Sequence, residues 1–411
     1  MKAIIFLEKY GFLFIILFCI GALQPELNSK VSMMDTDLNH RLSSKSGSNL
    51  FKQLFWISLF SFYSAKLFIS HLYKELPSLF VKNMVLVLAV CTIALISFLW
   101  SSFPPLTLKR AIFQCIFCGT ILFSFYFSHR HNTTKDIIIF ALYVVYGLLF
   151  ISLITGTGLT SNYSLAGFAK GKNIMGINIT VMLVMFHFLC KRFYINIPHF
   201  NLHIMALLFI IFLTQSKTSL FLVALYFLLV HLKPIFTRSI IKLSFIVISS
   251  IFILLPLISS MYGDYVNIAD YVSDDFLTGR GVIWNTLYYD LFFFDKYTLG
   301  YGYGAYFGTP VTPYFFDDPY SFMQFINSPH NGYLDLLLQF GYVFTLFILV
   351  IFMLLFKNIK CPYITAAMIL PLVHNLTEAS MFKDNTMVWL LFIVGIAASS
   401  FKHKEMYHGK N

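Results

Sequence analysis

The chain has 411 residues, of which 58% are hydrophobic and 18% aromatic, while Asp, Glu, Lys and Arg together make up only 11%. A water-soluble domain is about 25% charged, so this composition excludes an ordinary soluble enzyme and puts most of the chain in a bilayer. The formal net charge of +11 could suggest nucleic acid, but the basic residues fall in short loops between apolar runs, the pattern of membrane orientation, and nucleic acid is set aside as a partner.

A bilayer-spanning helix needs roughly 17 to 25 apolar residues, and about twelve runs approach that length. In chain order they lie near 4–23, 51–69, 84–100, 111–128, 137–156, 174–190, 203–216, 218–232, 242–262, 333–356, 362–380 and 386–401. The first lacks a small-x-small cleavage site, which favours a retained signal-anchor over a signal peptide. Only Gln215-Ser216-Lys217 separates the seventh run from the eighth, so that trio is either a tight turn or a break in one long stretch. The expected fold is an all-α polytopic membrane protein. Residues 1–262 carry the first nine spans, 263–332 form a large loop, and 333–411 carry the last three spans and a basic tail.

Lysine and arginine set the orientation. With both ends on one side, the short loops there hold Lys74 and Lys82, Arg130 and Lys135, and Lys191 and Arg192. Farther on they hold Lys233, Arg238 and Lys242, then Lys357 and Lys360, then Lys402, Lys404 and Lys410. Each is basic, as the positive-inside rule requires. Aspartates segregate to the far side, among them Asp264, Asp270, Asp290, Asp317 and Asp335. Lys170, Lys172, Lys217, Arg280 and His330 then all face that far side, where ATP is absent and any reaction uses an already activated donor. The segment 24–50, rich in Ser, Asn, Lys and Asp, reads as a mobile loop there. Six scattered cysteines imply no disulfide framework, and Cys115-x-x-Cys118 lacks the second pair or histidine of a zinc site.

The long loop gathers the chemistry. Val282, Ile283, Leu287, Leu291 and Phe294 recur near helical spacing, with Trp284, Tyr288 and Tyr289 among them. They predict an aromatic helix in the interface plane with Arg280 at its start, at headgroup depth. A guanidinium at a helix N-terminus suits a phosphate oxyanion; snorkelling to ordinary lipid headgroups is the competing account. Gly300-Tyr301-Gly302-Tyr303-Gly304 follows no strand, so it is read as a flexible aromatic turn, suited to stacking on a sugar. Ser328-Pro329-His330-Asn331 enters the next span and holds an imidazole at the membrane surface, as a general base or as a backbone-bonding cap. Asp335, one turn on, either orients that imidazole, serves as base itself, or is a buried and paired carboxylate. Lys217 breaks an apolar stretch and is either functional or a turn lysine. Glu378, with His374 and Asn375, forms a polar cluster that could line the same cavity.

Taken in order, these residues resemble the O-antigen ligase and polymerase superfamily of bacterial envelope glycosyltransferases. The pieces are Trp100-Ser101-Ser102 with Lys109-Arg110, Gly167-Phe168 with Lys172-Asn173, and Thr214-Gln215-Ser216-Lys217-Thr218. Gly279-Arg280 with Ile283-Trp284, Gly300-Tyr301-Gly302, and His330-Asn331-Gly332-Tyr333 before Gly341 complete the set. The resemblance implies a many-helix, GT-C-like fold in the bacterial inner membrane, with a large periplasmic loop carrying short interfacial helices. It implies a metal-independent, inverting transfer with no cofactor. The donor is an oligosaccharide on undecaprenyl diphosphate, and the acceptor is a hydroxyl of a growing glycan or of lipid A-core. The family's loop arginine falls on Arg280 and its histidine on His330, the expected catalytic pair. Expected substrate contacts are Lys217, Lys172, Trp284, Asn331, Asp335 and Glu378. Many members have arginine where this chain has Lys217, and lysine loses the bidentate fork. A flippase of lipid-linked glycans is the alternative function, and a non-catalytic assembly scaffold a third.

Overall fold

The computed structural model describes residues 2–27, 50–232, 246, 280–309, 326, 328–357 and 359–401. Among them run twelve helices: α1 (Lys2–Ile20), α2 (Leu50–Ile69), α3 (Ser78–Ile96), α4 (Pro104–Arg130), α5 (Thr134–Ile154) and α6 (Lys172–Phe193), followed by α7 (Phe200–Thr214), α8 (Lys217–His231), α9 (Arg280–Phe293), α10 (Gly332–Lys357), α11 (Pro362–His374) and α12 (Met387–Ser399). Every one but α9 coincides with an apolar run. The run at 242–262, most of 24–50, much of 263–332 and the basic tail lie outside the described residues. Among the described residues six segments are long and apolar enough to cross a membrane: Lys2–Ile20, Ser78–Leu99, Pro104–Arg130, Thr134–Ile154, Lys172–Phe193 and Gly332–Lys357. This is a helical, multi-pass membrane protein.

Local chemistry sets the helix ends. Pro104 and Pro105 open α4 and Pro362 opens α11, positions where the missing N–H has no helical partner in any case. Gln215 takes φ 53° between α7 and α8, so the polar trio there is a tight turn. Thr386 caps α12 by accepting from the Trp389 amide at 3.3 Å.

The middle of the bundle is α12, whose residues Met387 to Ala398 are all buried, as an apolar surface on every side demands. It packs against α4, α6 and α11. The His187 ring of α6 lies 5.7 Å from Tyr363 at the start of α11 and hydrogen-bonds Tyr226 late in α8 at 2.8 Å. So α11 runs antiparallel to α6 and α8. Its C-terminal end is level with their N-termini, and therefore with Lys172 and Lys217. At 13 residues each, α11 and α12 are roughly 20 Å long, short of the ~30 Å apolar bilayer. The 375–386 connection accordingly sits within the bundle end, none of it fully exposed. Backbone at that depth is tolerated because it is enclosed by protein.

The two ends differ. At one, Glu8 bridges Lys66 and His131 at 3.1 and 2.9 Å, and Arg130 pairs with Glu75. At the other, Lys52 pairs with Asp384 at 2.5 Å, and Trp56 and Trp100 donate to Asn385 and the Leu299 carbonyl. This second end carries 280–309 and the start of α10.

Near its middle α10 breaks. Gly341 sits at φ 61°, ψ −177°, and the segment 297–304 is wedged into the gap. Tyr301 and Gly302 donate to the Leu338 and Gln339 carbonyls at 2.7 and 3.0 Å, and the Tyr342 amide donates to the Tyr297 carbonyl at 2.8 Å. Groups freed by the break are thus satisfied, which a low-dielectric setting requires. Glycine is needed on both sides of the contact: a Cβ at Gly341 would meet the Thr298 backbone at 2.2 Å, and one at Gly300 the Gln339 backbone at 2.5 Å. Tyr303 is buried, donating to the Phe382 carbonyl, while the Gly304 amide donates to Gln339 Oε1. The Gly-Tyr-Gly-Tyr-Gly run is therefore a packed wedge, not a flexible turn that stacks on sugar.

Candidate active site

Position comes first from α9. Its Ile283, Leu287 and Leu291 pack on Leu334, Leu337 and Leu338 of α10, which fixes the helix against the first half of that span. Arg280, its first residue, then reaches the 375–386 connection. There it donates to the Thr377 carbonyl and pairs with Glu378 Oε1 at 2.8 Å. One turn along α9, Trp284 Nε1 donates to the Pro329 carbonyl at 2.9 Å and so holds the turn that carries His330.

His330 itself lies at φ 50°, a left-handed backbone that costs a bulky side chain roughly 1 kcal/mol or more. Three contacts hold it there. Trp284 grips the preceding residue. His330 Nδ1 is 2.9 Å from Glu378 Oε2. Asn331 Oδ1 caps α10 by accepting from the Tyr333 and Leu334 amides at 3.0 and 3.1 Å. Glu378 is fixed in turn: Asn375 anchors its loop by accepting from the Ser380 and Met381 amides, and the Asn375 carbonyl accepts from Gly332.

One carboxylate thus joins a guanidinium and an imidazole. Burial pushes the Glu378 carboxyl up, but the hydrogen bond and charge of His330 and the charge of Arg280 outweigh it and hold the group below the ordinary carboxylate range. An ionised Glu378 accepts from His330 Nδ1–H, which leaves Nε2 as the basic nitrogen. Nε2 has no hydrogen-bond partner among the described residues, and the ring is part-exposed. The arrangement can take a proton at Nε2 while a cation stands beside it.

Placement of the expected residues is uneven. Arg280, His330 and Glu378 meet, with Trp284 and Asn331 supporting the turn between them; Asn331 is fully buried. Lys172 and Lys217 head α6 and α8, and Gly176, one turn into α6, packs on Thr214, Ser216 and Ser219. The two lysines are neighbours by element at the site end, with no ion pair among the described residues. Asp335 does not orient the imidazole. It is buried and lies 3.6 Å from Lys383 on the other flank of α10, the paired-carboxylate reading. Glu378, expected only to line the cavity, is the residue that orients His330. Lys383 and Gln339 were missed, since neither falls in a motif.

Beyond Asp335 opens a cavity of about 1230 Å³ between α2, α4, the 303–308 segment and the 382–386 connection. Among the described residues no three His, Cys, Asp or Glu side chains are grouped as metal ligands.

Residues 202–349 match the family model described as O-antigen ligase. That segment contains Lys217, Arg280, Trp284, His330, Asn331 and Asp335, with Lys172 and Glu378 outside it. No curated protein and no solved structure matches the chain.

Proposed function

We propose, from the premise that this chain is a member of the O-antigen ligase and polymerase superfamily, that it transfers an oligosaccharide from undecaprenyl diphosphate to a hydroxyl acceptor at the periplasmic face of the bacterial inner membrane. The acceptor is a growing polysaccharide or lipid A-core. The observation that carries this reading is the meeting of Arg280 and His330 on one carboxylate, Glu378, at the end of the bundle opposite the basic loops.

The geometry supports the following chemistry. An acceptor hydroxyl gives its proton to His330 Nε2 as its oxygen bonds to the anomeric carbon. The bond from that carbon to the diphosphate oxygen breaks, with inversion, and the lipid diphosphate leaves with the bonding pair. Glu378 holds the imidazole tautomer and steadies its positive charge. Arg280 exchanges part of its pairing with Glu378 for a phosphate oxygen of the leaving group, whose charge it stabilises. The step uses no ATP and no metal. Lys172 and Lys217 extend the cationic surface at the same end.

Purified protein in detergent, given lipid-diphosphate-linked oligosaccharide, should extend or transfer the glycan. His330→Ala and Arg280→Ala should each reduce turnover by about 10² to 10⁴-fold while remaining monodisperse. Conversion in detergent, where no compartments exist, excludes pure transport. Full turnover by both variants would refute the assignment. A ladder of repeats marks a polymerase, and glycan on a lipid core marks a ligase.

A further inference from the structure

His374 is the last residue of α11 and, like Ser380, only 6% exposed. A buried imidazole needs a hydrogen-bond partner, and its Nδ1 lies 2.8 Å from Ser380 Oγ. Its backbone carbonyl is one of the acceptors that every helix end leaves unpaired. Here it accepts from the Thr377 and Glu378 amides at 3.1 and 2.9 Å. One residue therefore grips the chain on both sides of the Glu378 side chain, by its main chain at 378 itself and by its ring two positions beyond. The far grip is anchored in turn. The Ser380 carbonyl accepts from Thr386 Oγ1 at 3.0 Å, and Thr386 is the residue that caps α12. Glu378 is thus mounted in a short loop strung between two helix ends, those of α11 and α12. Asn375 holds amides of the same loop from within it, whereas the His374 ring fastens the loop to a helix.

Charges reach the Glu378 carboxylate from three elements: Arg280 at the head of α9, His330 at the entry to α10, and the His374 ring of α11. That carboxylate serves Arg280 and His330 at 2.8 and 2.9 Å, one oxygen each. A displacement of roughly 1 Å breaks one of the two contacts, because a hydrogen bond is lost beyond about 3.5 Å. We propose that His374 is a positioning residue for the transfer, its ring acting through Ser380 to hold Glu378 where both partners are reached. An orienting group of this kind works only when its own support is rigid. The inference rests on the transferase reading for its use, while the bracket itself is a matter of geometry.

The test uses full-length protein in detergent with lipid-diphosphate-linked oligosaccharide and a glycan acceptor. His374→Phe keeps a ring in the space and removes the bond to Ser380. It should lower kcat about tenfold, the usual cost of losing an orienting partner, with both KM values changed less than about twofold. His374→Asn, whose amide reaches the Nδ1 position, should recover most of the loss. In a Glu378→Gln background His374→Phe should cost less than about twofold, since the carboxylate it positions is gone; a ring that only stabilised the fold would cost the same in both backgrounds. Unchanged kcat in His374→Phe, equal losses in the two backgrounds, or no recovery with asparagine overturns the proposal. A second readout needs no turnover. In protein carrying nitrogen-labelled histidine, the His330 signals, identified by their loss in His330→Gln, report the Nδ1–H tautomer that Glu378 holds, and His374→Phe should mix in the other tautomer. That change in a preparation that transfers no sugar supports the bracket while refuting the transferase reading. An unchanged tautomer in an active preparation refutes the positioning role alone.

Discussion

Glu378 is the side chain on which the site turns, because it holds both Arg280 and His330, one on each carboxylate oxygen. Replacing it with glutamine keeps the shape but removes the charge that fixes the His330 tautomer. The expected outcome is a 10- to 100-fold fall in kcat, typical of losing an orienting partner, with donor KM little altered; Glu378→Asp should recover part of it in a steady-state assay. The sign of its pH effect follows from its lowered pKa. The bridge contributes fully above the ordinary value of 4.5 and is lost as pH falls through the folded value. Activity should therefore fail in acid before the fold does, which paired rate and circular-dichroism titrations would show. Asp290 behaves oppositely. It is buried on α9, and burial raises its pKa to about 6 despite the 2.5 Å hydrogen bond that Tyr306 donates. Stability is then greatest below 3.8 and declines until about pH 6, by up to about 3 kcal/mol. Asp290→Asn should accept the same bond and flatten that decline in thermal melts.

At the level of elements, the break in α10 organises the loop. Gly341→Ala should destabilise by more than about 2 kcal/mol, because a left-handed backbone and a backbone clash act together; the expected readout is a lowered melting midpoint and lost monodispersity. Trp284→Phe leaves the Pro329 carbonyl unpaired and should be milder, about 1 to 2 kcal/mol, yet slow turnover because the His330 turn loosens. How much of this was readable beforehand differs by element. The spans were legible because a bilayer permits little besides apolar helices, and eleven predicted runs coincide with observed helices. Arg280 and His330 were legible as residues of one loop. Their link was not. Glu378 lies 98 positions from Arg280 and 48 from His330, and it takes both the packing of α9 on α10 and the bond from Gly332 to the Asn375 carbonyl to close those distances. Nor did Gly300 to Gly304 reveal their role, since alternating Gly and Tyr has no period that signals insertion into a helix. The one clue was Gly341 in an otherwise apolar run. What a glycine accommodates depends on the backbone that approaches it, and that partner is not written beside it.

For the whole molecule, the segregation of charge makes a prediction about sidedness. In a functional background freed of its native cysteines, a cysteine at Thr377 should react with a membrane-impermeant maleimide in spheroplasts. One at Lys74 or Lys135 should react only after permeabilisation. Reversed labelling would invert the topology and remove the case for a periplasmic reaction. The same segregation explains why a polar centre can be assembled in so apolar a chain. Its charged groups lie in connections and at the start of α9, at one end, leaving α12 to be held by apolar packing.

The interrupted α10 also bears on how the protein is made. Residues 297–304 leave the ribosome before the helix they staple, so their amides and carbonyls are held only by water until α10 is inserted. That helix, in turn, carries unsatisfied backbone groups inside the membrane until the staple arrives. Neither piece is a stable intermediate, so loop docking and helix insertion close together as one late step of biogenesis. A chain truncated after residue 331 should be cut by protease within 297–304, where the full-length chain resists.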